Sequence, residues 1–202
     1  MIAIMDKSSM LALLAYAFVS SITPGPNNLM LMASGANFGL RRTVPHMLGV
    51  GIGFATMIFL VGVGLVGLFE LWPPAFTVLK VAGIAYMLWL AWKIAHAAPP
   101  TAKPHADAGT PMTFLQAALF QWMNPKAWTM ALTSVTVYAP KHDVTAVLWV
   151  AMTFGIVNLP SVSIWATLGT VVRHWLSSPV RLRMFNWSMA GLLVASLALV
   201  VI

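Results

Sequence analysis

Residues 10–40 read MLALLAYAFVSSITPGPNNLMLMASGANFGL, and no charge occurs between Lys7 and Arg41. A bilayer's hydrocarbon core is about 30 Å thick and takes roughly 20 helical residues to cross. The stretch is therefore long enough to span a membrane. Its centre, Thr23-Pro24-Gly25-Pro26-Asn27-Asn28, cannot continue a helix, because each proline lacks an amide hydrogen and clashes with the preceding turn. Unpaired backbone in hydrocarbon is costly, so a break of this kind survives only when buried in protein or lining a cavity.

The rest of the chain agrees with lipid as the solvent. Of 202 residues, 60% are hydrophobic and 7% charged, with a mean hydropathy of +0.87. Soluble domains carry about 25% charged residues, so eleven basic and four acidic side chains cannot coat a 21.8 kDa globule. Disorder is excluded as well, since it requires low hydrophobicity. The net charge of +7 would suggest nucleic acid in a soluble protein. Here the basic residues are scattered singly or in pairs between apolar blocks, with no basic stripe, which argues against a nucleic-acid partner. There is no cysteine, hence no disulfide and no thiolate chemistry. The apolar start reads as a retained first span rather than a cleaved signal.

Six apolar blocks follow, at about 10–40, 47–69, 75–95, 112–139, 144–172 and 184–202. They are too long and too continuously apolar for barrel strands. The expected fold is all-α: a polytopic membrane protein of six transmembrane helices. Residues 1–96 would form one three-helix half and 112–202 the other, joined by a Pro- and Ala-rich linker over 97–111. Loops after blocks one, three and five carry Arg41, Arg42, Lys93, Lys103, Arg173, Arg181 and Arg183. The opposite side carries Lys7, Lys80 and Lys141. By the positive-inside rule the linker is cytoplasmic and both termini lie outside.

Block four is broken too, at Asn124-Pro125-Lys126. Pro24 and Pro125 stand at corresponding places in the two halves, 101 positions apart in a chain of 202. Three helices per half make the second half enter from the opposite face, which is an inverted repeat. Paired interruptions in such repeats mark a substrate site near the midplane. Half-helix N-termini offer free N–H groups and a positive dipole end to a carboxylate. Lys126 adds an ammonium where lipid forbids one, and intramembrane ions usually face a polar pathway. The blander alternatives are proline kinks that only shape packing and a lysine that snorkels to an interface.

Thr23–Asn28 in a first span, followed by Gly39 and Arg41, resembles the signature of the LysE/RhtB family of amino-acid exporters. Asn124-Pro125-Lys126 is similar to that family's second motif, and residues 49–54 and 82–93 resemble its second and third helices. Helices one to three look most like the cysteine/O-acetylserine exporter branch. The resemblance implies a secondary transporter of the bacterial cytoplasmic (inner) membrane that exports a small amino acid or derivative, coupled to protons. Some relatives carry a carboxylate after the helix-two glycines, where this chain has Phe54.

The expected substrate-binding residues are Thr23, Pro24, Gly25, Pro26, Asn27, Asn28, Asn124, Pro125, Lys126 and Asn158. Gln116, Gln121 and Ser161 are further pathway candidates, with interhelical hydrogen bonding as their default role. Gly35/Gly39 and Gly49/Gly53 have the spacing that lets helices approach closely. Trp122 and Trp128 bracket the second break and either wall a cavity or face lipid. The carboxylates Asp6, Glu70, Asp107 and Asp143 sit at block ends or in loops, leaving no mid-membrane acid for a proton relay. His46, His96, His105, His142 and His174 fall in or beside loops and show no metal-ligand spacing. No cofactor or metal is expected, and no catalytic residues, because no base lies at membrane depth to activate a nucleophile. The partners are an amino-acid substrate and the lipid bilayer, with a homodimer left open. The competing reading is a membrane scaffold that transports nothing; paired glycines suit it, but the lysine and matched breaks would have no purpose there.

Overall fold

The structure is a computed structural model that describes residues 6–65, 71, 74–97, 110–139, 143–173, 175–176 and 178–201. Glu70, Lys103, His105, Asp107, Lys141, His142, His174 and most of the 97–111 linker lie outside the described residues. The described chain is helical throughout, without a strand: α1 (Lys7–Ile22), α2 (Pro26–Phe38), α3 (Leu40–Leu60), α4 (Pro74–Ala95), α5 (Phe114–Met123), α6 (Pro125–Tyr138), α7 (Val144–Arg173) and α8 (Pro179–Val201). A π turn, Val61–Leu65, extends α3.

Both proline breaks appear where the sequence puts them. Block one divides into α1 and α2 with a bend of 52°. Block four divides at Asn124, whose extended backbone (φ −93°, ψ 108°) separates α5 from α6. In each case the proline occupies the first turn of the new helix, where its missing N–H costs nothing. Three helical stretches are long and apolar enough to cross a bilayer: Leu40–Leu65, Thr77–Ala95 and Val144–Arg173. The bent pair α1–α2 makes a fourth if counted as one span. α3 starts at Leu40, seven residues before the apolar block suggests, so Arg41 and Arg42 ride on its first turn rather than in a loop. Gly39 makes the one-residue joint with α2 at φ +80°, a conformation that side chains resist.

α3 and α7 pack together at the centre, α7 also holds α1 and α2, α3 also holds α5, and α4 packs on α8. Small residues set these approaches. A Cβ on Gly35 would meet the Ala166 carbonyl of α7, and one on Gly169 would meet the Met32 carbonyl of α2. Gly49 and Gly53 similarly admit the backbone of α5 at Phe114 and Ala118. Packing is thus the role the structure gives these glycines. Phe54 of α3 meets Phe154 of α7 edge-on at 5.5 Å, and Tyr16 of α1 meets the same ring at 5.9 Å. Outward-facing Leu11, Phe18, Val78, Leu115, Ile156 and Val180 are more than half exposed. Apolar surface that extensive would drive aggregation in water; in a bilayer it is the correct exterior. The chain is an integral membrane protein.

Candidate functional site

Breaking a helix strands the carbonyls of its last turn, and each buried one needs a donor. At the end of α1 those donors come from the whole bundle. The Thr23 hydroxyl donates to Ser20 O (3.0 Å), and the Asn28 amide donates to Ser21 O and Thr23 O (both 2.8 Å). The Trp165 indole of α7 donates to Ile22 O at 3.0 Å. Lys126 supplies the rest: its Nζ donates to Thr23 O and Thr23 Oγ1 (both 2.9 Å) and to Pro24 O (3.3 Å). The two breaks, a hundred residues apart in sequence, therefore touch through one ammonium.

Gly25 makes room for it. A Cβ there would lie 2.7 Å from Lys126 Cδ and 3.1 Å from Nζ. Asn124 caps α6 by accepting from the Lys126 backbone N–H at 3.1 Å, which aims the lysine at the first break. The N-terminus of α2 has no side-chain cap at Gly25, so its first N–H groups remain available, as an anion site requires. One lysine is thus bordered by the negative end of α1 and the positive end of α2.

A cavity of about 20 Å³ lies between these elements. Ser20, Ser21, Gly25, Asn27, Asn28 and Phe54 line it from the first half, and Asn124, Lys126, Ala127, Met130 and Asn158 from the second. Two buried polar atoms of its wall, Ser21 Oγ and Asn158 Oδ1, have no protein partner. Unsatisfied buried oxygens are rare and call for an explanation; both belong to residues that line this polar cavity.

Of the ten residues expected to bind substrate, Gly25, Asn27, Asn28, Asn124, Lys126 and Asn158 line this cavity, and Thr23 and Pro24 join it through Lys126. Pro26 is buried at the start of α2. Pro125 borders a separate cavity of about 210 Å³ with Trp122, Trp128 and Lys80. Trp122 and Trp128 therefore do wall a cavity, and the Trp128 indole donates to Trp122 O at 2.8 Å. Asn27 pairs reciprocally with Gln121 of α5 (2.8 and 3.2 Å), tying the first break to the helix before the second. Gln116 serves in a capping box with Thr113, and Ser161 bonds to Val157 O; neither faces the cavity.

One placement corrects the sequence reading. His46 was expected beside a loop, yet it is 2% exposed, with neither ring nitrogen hydrogen-bonded. The early start of α3 carries it a turn and a half into the helix. Asn37 and Asn186, which no sequence motif marks, form a buried reciprocal amide pair (2.9 and 3.2 Å) between α2 and α8. A polar side chain alone in an apolar block was the only available signal for Asn186.

Comparison with known proteins fits this architecture. The family model for the LysE type translocator matches residues 18–202. The chain belongs to the LysE family. It is a transporter, not an enzyme. The cysteine/O-acetylserine efflux protein of Klebsiella pneumoniae subsp. pneumoniae is 30% identical over 189 residues, 91% of this chain and 92% of that one. The protein of the same name from Escherichia coli K12 is 30% identical over 134 residues, 66% and 67% of the two chains. That from Shigella flexneri is 31% identical over 123 residues, 61% and 62%. No solved structure matches. Within this LysE-family chain the matched region takes in both breaks and the cavity between them.

Proposed function

We propose that this LysE-family protein exports a small amino acid or amino-acid derivative across the bacterial inner membrane, with the substrate held between the two helix breaks. The observation that carries this reading is the bonding of Lys126 Nζ to Thr23 and Pro24 beside a cavity with two unpaired oxygens. A zwitterion suits the arrangement: its carboxylate toward Lys126 and the N-terminus of α2, its ammonium toward the carbonyls of α1 and the oxygens of Ser21 and Asn158. The efflux relatives named for cysteine and O-acetylserine support a substrate of this size.

Room for about one water is all that 20 Å³ provides, so the helices around the breaks part to admit an amino acid. Six spans in two inverted halves account for such motion. In support, α3 packs on α7 and α4 on α8, pairing corresponding helices, while α3 holds α5 as α7 holds α1. Both termini would face outward, and proton coupling follows the family resemblance. The scaffold reading leaves the lysine and its unpaired neighbours without a role.

Purified protein in liposomes should move labelled O-acetylserine or cysteine, faster when a pH gradient is imposed. Lys126→Met should lower the initial rate at least tenfold, the order expected for one lost charge-assisted hydrogen bond, with an unchanged elution profile. Flux in Lys126→Met equal to wild type would reject the role given to that side chain.

A further inference from the structure

The two breaks divide the core of the bundle. One apolar cluster joins Leu13 and Ala17 of α1 to Ala131 and Val135 of α6, between the later half of α3 and the earlier half of α7. Another joins Leu31 of α2 to Ala117 of α5, between Val50 of α3 and Ala166 of α7. Thus α1 and α6 flank one side of the cavity at the breaks, and α2 and α5 flank the other. The cavity lies where the two sides meet, with Phe54 of α3 and Asn158, midway along α7, in its wall.

Each side carries a polar tie. Lys126, the second residue of α6, bonds to Thr23 and Pro24 at the end of α1. Asn27, the second residue of α2, exchanges hydrogen bonds with Gln121 in the last turn of α5. Counted from the prolines that open α2 and α6, Asn27 and Lys126 hold the same position. Each reaches from the start of one half-helix to the end of the half-helix beside it. The ties are therefore counterparts on opposite sides of the cavity, one made by an ammonium and the other by two amides.

The amide tie is the weaker. A hydrogen bond between neutral side chains of membrane helices shifts an equilibrium by about threefold on average. Gln121 Nε2 also donates to Ala117 O of its own helix at 2.9 Å, so parting from Asn27 leaves that group bonded. Glycines fix the surrounding approaches instead, Gly35 and Gly169 between α2 and α7, and Gly49 and Gly53 between α3 and α5. Room lies next to the tie. A cavity of about 260 Å³ runs along α2 at Met30 and Ser34, and these share a helix face with Asn27, at the i, i+3 and i+7 spacing.

We propose that Gln121 is a gating residue. Its pair with Asn27 closes the α2–α5 side of the substrate cavity, Lys126 on Thr23 and Pro24 closes the α1–α6 side, and transport opens one tie at a time. The proposal rests on the transport reading for the cycle, and on the two bonded pairs for the positions of the gates. With both ties made the cavity keeps about 20 Å³, and parting α2 from α5 joins it to the larger space.

The cysteine-free chain allows a direct test. Ser20→Cys places one thiol in the wall of the small cavity. Its labelling by a membrane-impermeant methanethiosulfonate is timed in right-side-out and in inverted membrane vesicles, without substrate. Gln121→Leu should speed labelling about threefold from the face that carries Arg41 and Arg42, where α2 ends, and leave the other face unchanged. Lys126→Met should speed labelling from the opposite face. Exchanging the partners, Asn27→Gln with Gln121→Asn, rebuilds an amide pair and should return the rate toward that of Ser20→Cys alone. Asn27→Leu breaks the same tie from the other helix and gives the reading where Gln121→Leu fails to fold.

An unchanged rate when the tie is broken would overturn the proposal. So would a rise from both faces, which marks loosened packing, or a rise that the rebuilt pair does not reverse. Flux of labelled O-acetylserine in liposomes reads the transport proposal separately. One-sided labelling without flux would reject transport and keep the gate; flux with labelling indifferent to the tie would reject the gate alone.

Discussion

Gly25 and Lys126 show how a single missing methyl organises the site. The glycine backbone is fully extended (φ −178°, ψ 177°), which any residue can adopt, so its value is space rather than conformation. The lysine stem fills that space and brings its ammonium onto the oxygens of Thr23 and Pro24. Gly25→Ala should push the flexible lysine aside without moving either helix. Transport should fall about tenfold while thermal unfolding stays near wild type; unaltered flux would show that the close approach is dispensable. Asn28 is a different case. Its amide donors are committed to Ser21 O and Thr23 O, so it holds the break together. The spacing of Thr23–Asn28 announced a break, but not which residues would face the cavity and which would support it. That distinction depends on where Trp165 and Lys126 arrive from distant helices.

Helices in this bundle meet through glycines. Gly35 of α2 and Gly169 of α7 each sit against the other helix's backbone, at Ala166 and Met32. Gly35→Ala must separate the two helices, and overpacking of this kind costs about 1–3 kcal/mol. A lower unfolding temperature in detergent is expected. Gly191→Ala in α8 is the control, since a Cβ there meets nothing within 4 Å; it should be neutral or stabilising by up to about 1 kcal/mol, through helix propensity. Equal behaviour of the two variants would refute the close α2–α7 contact. The elements themselves were largely legible: blocks three, five and six correspond to α4, α7 and α8 within a few residues. The start of α3 was not, because Arg41 and Arg42 look like loop residues. They tolerate a helical first turn at a membrane surface, and that shift is what buried His46.

For the molecule as a whole, the loop charges make a claim about direction. Ser8→Cys near the start, and Thr101→Cys in the linker between the halves, can be probed in intact cells with a membrane-impermeant thiol reagent. Labelling at residue 8 and protection at residue 101 is the expected pattern. The reverse pattern would invert the orientation, and labelling of both would argue against a linker on the cytoplasmic side.

The sequence by itself determined the solvent of this protein, the positions at which two of its helices break, and the one lysine that lipid could not hold without a partner. These are local consequences of hydropathy and of proline's missing N–H, and they do not depend on the fold. Only the tertiary structure decided that Lys126 reaches across to Thr23, that Ser21 and Asn158 beside one cavity are left unpaired, and that His46 is buried without a hydrogen-bond partner. The reason lies in the bilayer. A membrane helix is apolar toward lipid and toward its neighbours alike, so its periodicity does not tell the buried face from the exposed one. Which residues meet is set by helix crossings at small residues, and those crossings exist only once the helices have packed.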